Sequence, residues 1–256
     1  MTSSLGERLA RGEPVDEPVA LVVAHPDDET LGLGSRLHLF RRLTLIHLTD
    51  GAPDDGEDAR RAGFATREAY AVARGAELDA ALAVLGCRPE RRLAYGLPDQ
   101  GLAERLPQLA ARLADELAGC AAVFTHAFEG GHPDHDSAAF AVARACVRLG
   151  DGAPARWEFA GYFGRDGALQ ANRFHPDRSA AETVATLTAP ERARKARAFA
   201  AHASQAAVLA NFPPGEERWR PAPAYDFAAP PPPGEPLYDR YGWAITGARW
   251  RKLAGV

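Results

Sequence analysis

Two short stretches of this 256-residue chain bring imidazoles and carboxylates together in nearly repeated form: His25-Pro26-Asp27-Asp28-Glu29 and His132-Pro133-Asp134-His135. Catalytic zinc takes three N/O protein ligands and keeps a fourth position open. His25, Asp28 and His135 would supply that set, and it suits ferrous iron as well as zinc. Asp27 is then left beside the metal as a carboxylate able to take a proton from water. His132 is left as a donor to a developing oxyanion or a leaving group. Each motif has a plainer reading: proline followed by acids makes a good helix start, where carboxylates satisfy free N–H groups and the helix dipole. Capping needs no histidine, however, and here three occur at two segment ends, so the pair reads as one metal site.

That reading requires both motifs to emerge on the same side of the molecule. Residues 18–25, PVALVVAH, have the length and β-branched content of a buried strand, stopped by Pro26. A helix is expected from Asp27 to about Arg42, a second strand over 42–51, and one long helix from Ala59 to Leu85. A third strand is expected over 91–96, a helix over 102–117, and a fourth strand over 120–128 running into EGGHPDHD. The next helix covers about 135–148. This alternation predicts βαβ units and an α/β fold: a Rossmann-like three-layer sandwich with a mostly parallel sheet. Such sheets bind ligands beyond the carboxyl ends of their strands, which places both motifs on one crevice. GxGxxG is absent after the first strand, so no dinucleotide site is expected.

Beyond residue 150 the pattern loosens. Residues 156–164 and 181–188 read as strands and 190–209 as a helix. Residues 213–236 are rich in proline and are expected to form neither helix nor central strand. The aromatic-rich 237–254 segment is expected to pack back on the body. The reading is a single domain over residues 1–256, with a core of about 18–210 and an irregular proline-rich extension over 211–256.

Composition removes several classes of function. The net charge is −4, with no basic block, so nucleic acid is not an expected partner. No apolar run reaches the roughly 20 residues of a membrane span, and the acidic N-terminus has no signal-peptide core. A soluble, cytoplasmic protein is the expectation. Cys87, Cys120 and Cys146 are odd in number and widely spaced, which argues against disulfides and a thiolate metal site.

The other histidines carry less. Phe174-His175-Pro176-Asp177 repeats the tripeptide without a preceding apolar strand or a second ligand at matching spacing, and reads as a loop or helix start. His38 reads as surface. His47 and His126, near strand ends, read equally as buried structural residues or as supports of ligands.

AHPDDE together with EGGHPDHD resembles the LmbE/PIG-L family of metal-dependent deacetylases. Smaller matches accompany the pair: Thr49-Asp50-Gly51, Arg74 with Glu77, Gly96-Leu97-Pro98-Asp99, and Lys195 with His202, Ser204 and Gln205. The resemblance runs from about residue 18 to 210. It implies hydrolysis of an N-acetyl group on a glucosamine-containing small molecule or glycoside, with Zn2+ as cofactor and Fe2+ as an alternative. It assigns His25, Asp28 and His135 as ligands, Asp27 as base, and His132 as electrostatic or acid partner held by Asp134. Arg74 would line the substrate site. Some members carry a tyrosine just before the second motif, where this chain has Glu129-Gly130-Gly131. Arg220 and Tyr225 could reach the pocket or stay structural. A different metallohydrolase, such as a phosphoesterase, and a non-catalytic sugar-binding protein are the other readings of the same residues.

Overall fold

The computed structural model describes residues 4–175, 181–232 and 234–255. Along the chain lie α1 (Leu5–Ala10), β1 (Val15–Val23), α2 (Asp28–Leu33), β2 (Phe40–Pro53), α3 (Glu57–Arg61), α4 (Arg67–Leu85), β3 (Arg91–Asp99), α5 (Leu106–Leu117), β4 (Ala122–His126) and α6 (Pro133–Leu149). The second half adds β5 (Ala155–Phe159), β6 (Tyr162–Arg165), β7 (Ala168–Ala171), β8 (Thr183–Thr186), α7 (Ala189–Ala201), α8 (Ala206–Leu209), β9 (Glu216–Pro221), α9 (Leu237–Arg240) and α10 (Gly247–Ala254).

Seven strands form the main sheet in the order β3-β2-β1-β4-β5-β9-β8. β1 to β5 are parallel, and β9 runs antiparallel to both of its neighbours, β5 and the edge strand β8. β6 and β7 form a separate hairpin. β1 shows why the sheet must be covered on both faces. Val19, Leu21 and Val23 turn to one apolar cluster, Ala20, Val22 and Ala24 to the other, as the two-residue period of a strand dictates. α4 and α7 cover the first face and α5 and α6 the second, giving the expected three layers.

Several boundaries differ from expectation, each for a local reason. The helix from Asp27 is only α2. Ser35 donates its N–H to Glu217 at 2.8 Å, and the carbonyl of Leu31, its regular helical partner, accepts from Lys195 Nζ at 2.7 Å. A buried Lys195–Glu217 ion pair of 2.7 Å thus replaces the next helical bond, and β2 begins early, at Phe40. The long 59–85 helix is two, because Gly63 turns at φ +83° and the Thr66 hydroxyl caps Ala69 N–H at 3.1 Å. The 156–164 strand is likewise two, β5 and β6.

The extension is less irregular than its prolines suggest. Pro213, Pro214 and Pro221 bracket rather than interrupt Glu216–Arg220, and β9 sits between β5 and β8 with Trp219 wholly buried. Cys87 and Cys146 are buried and all three cysteines are free. Among the described residues, no helix is long and apolar enough to cross a membrane.

The ion pair that ends α2 carries a prediction. Lys195→Met leaves Glu217 buried without its cation, an arrangement that costs about 3–5 kcal/mol. Urea denaturation should show a loss of that order, and a loss under about 1 kcal/mol would show that Ser35 alone satisfies the carboxylate.

Candidate metal centre and cleft

β1 and β4 are neighbours in register, with Val19 opposite Ala122 and Leu21 opposite Phe124. Strand order reverses between them, since β2 and β3 lie on one side and β5 on the other. The motif after β1 and the motif opening α6 therefore face each other at the switch point. Ala24 N–H donates to His126 Nε2 at 3.0 Å, tying the two strand ends together.

His25, Asp28 and His135 converge as expected. His25 Nδ1 lies 3.3 Å from Asp28 Oδ2 and 3.3 Å from His135 Nε2, and His135 Nε2 lies 3.2 Å from Asp28 Oδ1. Ligand atoms around a tetrahedral ion with bonds of about 2.1 Å stand about 3.4 Å apart. The two imidazole nitrogens are spaced for a metal of zinc size, with Asp28 meeting each of them through a different oxygen. The far side of His25 is held as metal-binding imidazoles are held: Nε2 meets Asp99 Oδ1 at 3.1 Å and Asp134 Oδ2 at 3.4 Å.

Among the described residues, three groupings of possible ligands overlap this set without coinciding with it: His25 with His132 and His135, His25 with Asp99, His132 and Asp134, and Asp28 with His126 and His135. His126 makes a poor ligand through Nε2, because that lone pair already accepts from Ala24. Burial, reinforced by His135, pushes its pKa down to about 4, so it stays neutral.

Asp27 stands beside the cluster, its Oδ2 accepting from Arg74 Nη2 at 2.9 Å. Arg74 also donates to the carbonyls of Gly51, at 2.6 Å, and Pro26, at 3.5 Å. Gly51 turns at φ +73°, and a Cβ there would fall 2.4 Å from the guanidinium. The Thr49-Asp50-Gly51 turn is thus a seat for Arg74. Arg74 does line the cleft, but as the clamp of Asp27. Burial raises the Asp27 pKa, with Arg74 pulling against it. Burial also disfavours charge on Asp28, yet His135 and His126 outweigh it and hold that carboxyl well below its usual range.

The support of His132 differs from expectation. Asp134 holds it through its backbone, whose N–H donates to His132 Nδ1 at 3.1 Å. The Asp134 carboxylate instead accepts from the amides of Gln100, at 2.6 Å, and Leu102, at 3.1 Å, besides meeting His25. An accepting Nδ1 puts the proton of neutral His132 on Nε2, which lies 3.4 Å from Asp99 Oδ1. Burial, then the neighbouring His25, keep its pKa well below the usual histidine value.

A cleft of about 170 Å³ opens onto these groups. Among its lining residues that were not singled out from sequence as site residues are Asp99, Tyr162 and Trp243. Asp99 ends β3 on the same edge, and an acid at that place in a parallel sheet was a usable signal. Tyr162 reaches its ring to 5.3 Å from that of His135. Gly131 admits it, since a Cβ there would lie 2.0 Å from the Tyr162 carbonyl oxygen. Trp243 sets its ring edge-on at 4.8 Å from His132, from a segment that no local pattern connects to the site.

The remaining candidates are structural. Arg220 pairs with Glu158 at 2.6 Å and Tyr225 donates to the same carboxylate at 2.7 Å, and neither lines the cleft. His47 Nε2 meets Glu29 Oε2 at 3.0 Å behind the site. His38 is exposed, in a short 3-10 turn. His175 is buried against Phe163, while Pro176 and Asp177 lie outside the described residues.

A probable N-acetyl-alpha-D-glucosaminyl L-malate deacetylase 2 of Bacillus subtilis (strain 168) is 32% identical over 139 residues, 52% of this chain and 62% of its own. The chain thus spans about three fifths of the length of that curated relative. Two solved structures share the fold. A40926 pseudoaglycone deacetylase has TM-score 0.60 and 19% identity, over 81% of this chain and 97% of its own. A zinc-inhibited form of teicoplanin deacetylase has TM-score 0.58 and 17% identity, over 81% and 99%. The family model described as PIG-L, GlcNAc-PI de-N-acetylase, matches residues 20–146. That span, just under half of the chain, contains the end of β1, strands β2 to β4 and both His-Pro-Asp motifs, and it is similar to the PIG-L family.

Proposed function

We propose that this protein is a metal-dependent N-deacetylase acting on a small acetylated amino sugar or glycoside of the N-acetylglucosamine type. The observation that carries the reading is the meeting of His25 Nδ1, the Asp28 carboxylate and His135 Nε2 within 3.3 Å of one another, with Asp27 and His132 lining the same cleft. The family match and the name of the Bacillus relative support the same chemistry.

A divalent ion on those three residues would lower the pKa of a water and polarise an amide carbonyl. The rest falls to the side chains. Asp27, with one oxygen on Arg74, uses the other to take the proton of the attacking water. His132 presents Nε2–H to the oxyanion that forms as the carbonyl carbon becomes tetrahedral. Collapse breaks the C–N bond, and the proton held by Asp27 passes to the departing sugar amine. Acetate and the free amine are the products.

Arg74 sets the pH range of this base. Asp27 must be ionised to accept a proton, so activity rises with pH through its pKa. Arg74 lowers that pKa, and removing it raises it. Arg74→Met should therefore shift the acid limb of kcat/KM to higher pH. An unmoved limb would mean that another group titrates there.

The direct test is primary-amine release from a panel of N-acetylglucosaminides. Protein loaded with zinc and protein loaded with ferrous iron are run separately, because one structural relative is described as zinc-inhibited. Amine release with stoichiometric acetate is the expected result. Bound metal without amine release from any member would reject the deacetylase reading in favour of another metallohydrolase or a binding protein.

A further inference from the structure

The cleft lining has two chemically different sets of residues. Around the ligand cluster lie the carboxylates of Asp27, Asp28, Asp58 and Asp99. Among the described residues, the one Lys or Arg that lines the cleft is Arg74, already bound to Asp27, Gly51 and Pro26, with its Nε buried and turned to no partner. The cleft is also lined by apolar and aromatic residues: Leu31, Leu209 and Phe212 form one cluster with Tyr162, and Trp243 faces His132. The Tyr241 ring lies 5.8 Å from that of Trp243 and is 53% exposed, and Val208 is 48% exposed.

We propose that the outer part of this cleft, built on Trp243 and Tyr241 of the C-terminal extension, receives an uncharged, apolar group attached to the amino sugar, and that it selects against an anionic one. The inference rests on the deacetylase reading and narrows it. An aglycone leaving the sugar on the His132 side meets the Trp243 ring first and Tyr241 next. Aromatic faces bury apolar area and ring C–H groups there without asking for charge. A dicarboxylate in the same place would meet aromatic rings, would lie toward the acids Asp58 and Asp99, and would find among the described lining residues no guanidinium or ammonium other than Arg74, which already holds Asp27. The Bacillus relative is named for a malate-bearing substrate. This chain matches that relative over 52% of its own length, and Tyr241 and Trp243 lie beyond the family-matched residues 20–146.

The test measures binding, so that it does not depend on turnover. Zinc-loaded wild type, Trp243→Ala and Tyr241→Ala are titrated calorimetrically with two free-amine ligands of one anomeric form, phenyl α-D-glucosaminide and α-D-glucosaminyl L-malate. Wild type should bind the phenyl ligand at least about tenfold more tightly, the scale of one good aromatic contact. Both variants should lose most of that preference by weakening for the phenyl ligand, with the malate ligand little changed. Tyr241, half-exposed, keeps the test sound if Trp243→Ala folds poorly. Equal or tighter binding of the malate ligand by wild type would overturn the proposal, as would a preference that survives in both variants. Amine release from the acetylated forms scores the deacetylase reading on its own. Preference without release rejects that reading and leaves the subsite, and release with malate preferred does the reverse.

Discussion

Asp27→Asn should cut turnover by about 10²- to 10⁴-fold, the usual contribution of a positioned general base, while metal content stays at wild-type stoichiometry. The asparagine keeps the shape of the aspartate, and its carbonyl oxygen can still accept from Arg74 Nη2, so the clamp seen at 2.9 Å survives. What disappears is the ability to hold a proton between water and the departing amine. Asp27 is absent from all three groupings of possible ligands, which is why metal content should not change. The measurement is kcat on the best member of the N-acetylglucosaminide panel, beside metal analysis of the same preparation. Near-normal kcat would remove Asp27 from the role of base, and loss of metal would make it a ligand.

His135→Ala should release the metal, whereas His126→Ala should only weaken it. The two imidazoles stack at 3.9 Å between ring centroids and both approach Asp28, so proximity alone does not tell them apart. Their free lone pairs do. His135 Nε2 points into the meeting place of His25 and Asp28, while His126 Nε2 accepts from Ala24. Supports of a metal ligand typically cost about 10- to 100-fold in affinity when removed, and that is the effect expected of His126→Ala. His135→Ala removes one of three protein ligands and should exceed it, leaving apoprotein after dialysis against weak chelator. Competition titration with a chromophoric chelator reads both. The reverse ranking would move the ion to the His126 side of Asp28.

Much of the arrangement is legible in sequence because it is written locally. The run 18–25 is buried on both faces, so it reads as one unbroken apolar segment, and two such segments ending in His-Pro-Asp imply a shared edge. Ligand convergence follows from that topology alone. What escapes depends on contacts distant in sequence. The spacing in Leu31 to Leu39 allows a helix, but Glu217, 182 residues beyond Ser35, takes the amide that would continue it. The proline count hides β9 because the prolines fall before the strand and at its last residue, Pro221, not in its interior. Trp243 and Tyr162 enter the cleft from elements whose approach is set by packing, and no spacing near the motifs encodes them. Asp134 shows a subtler limit: the motif identifies the residue, but whether its amide or its carboxylate does the holding is a matter of rotamer and neighbours.

The position of β9 bears on how the chain is made. Every proposed ligand and proton carrier lies before residue 136, yet the sheet beneath them is closed by a strand that begins at residue 216. During synthesis, β5 therefore emerges with one edge unpaired, its N–H and C=O groups open to any other extended segment. Trp219, Arg220 and Glu217 all lie on β9, so one late strand fills the core, pairs with Glu158 and ends α2. The nascent protein would thus hold all the proposed metal-binding and catalytic residues before it has a closed fold, and the interval between the two is when it is most exposed to aggregation.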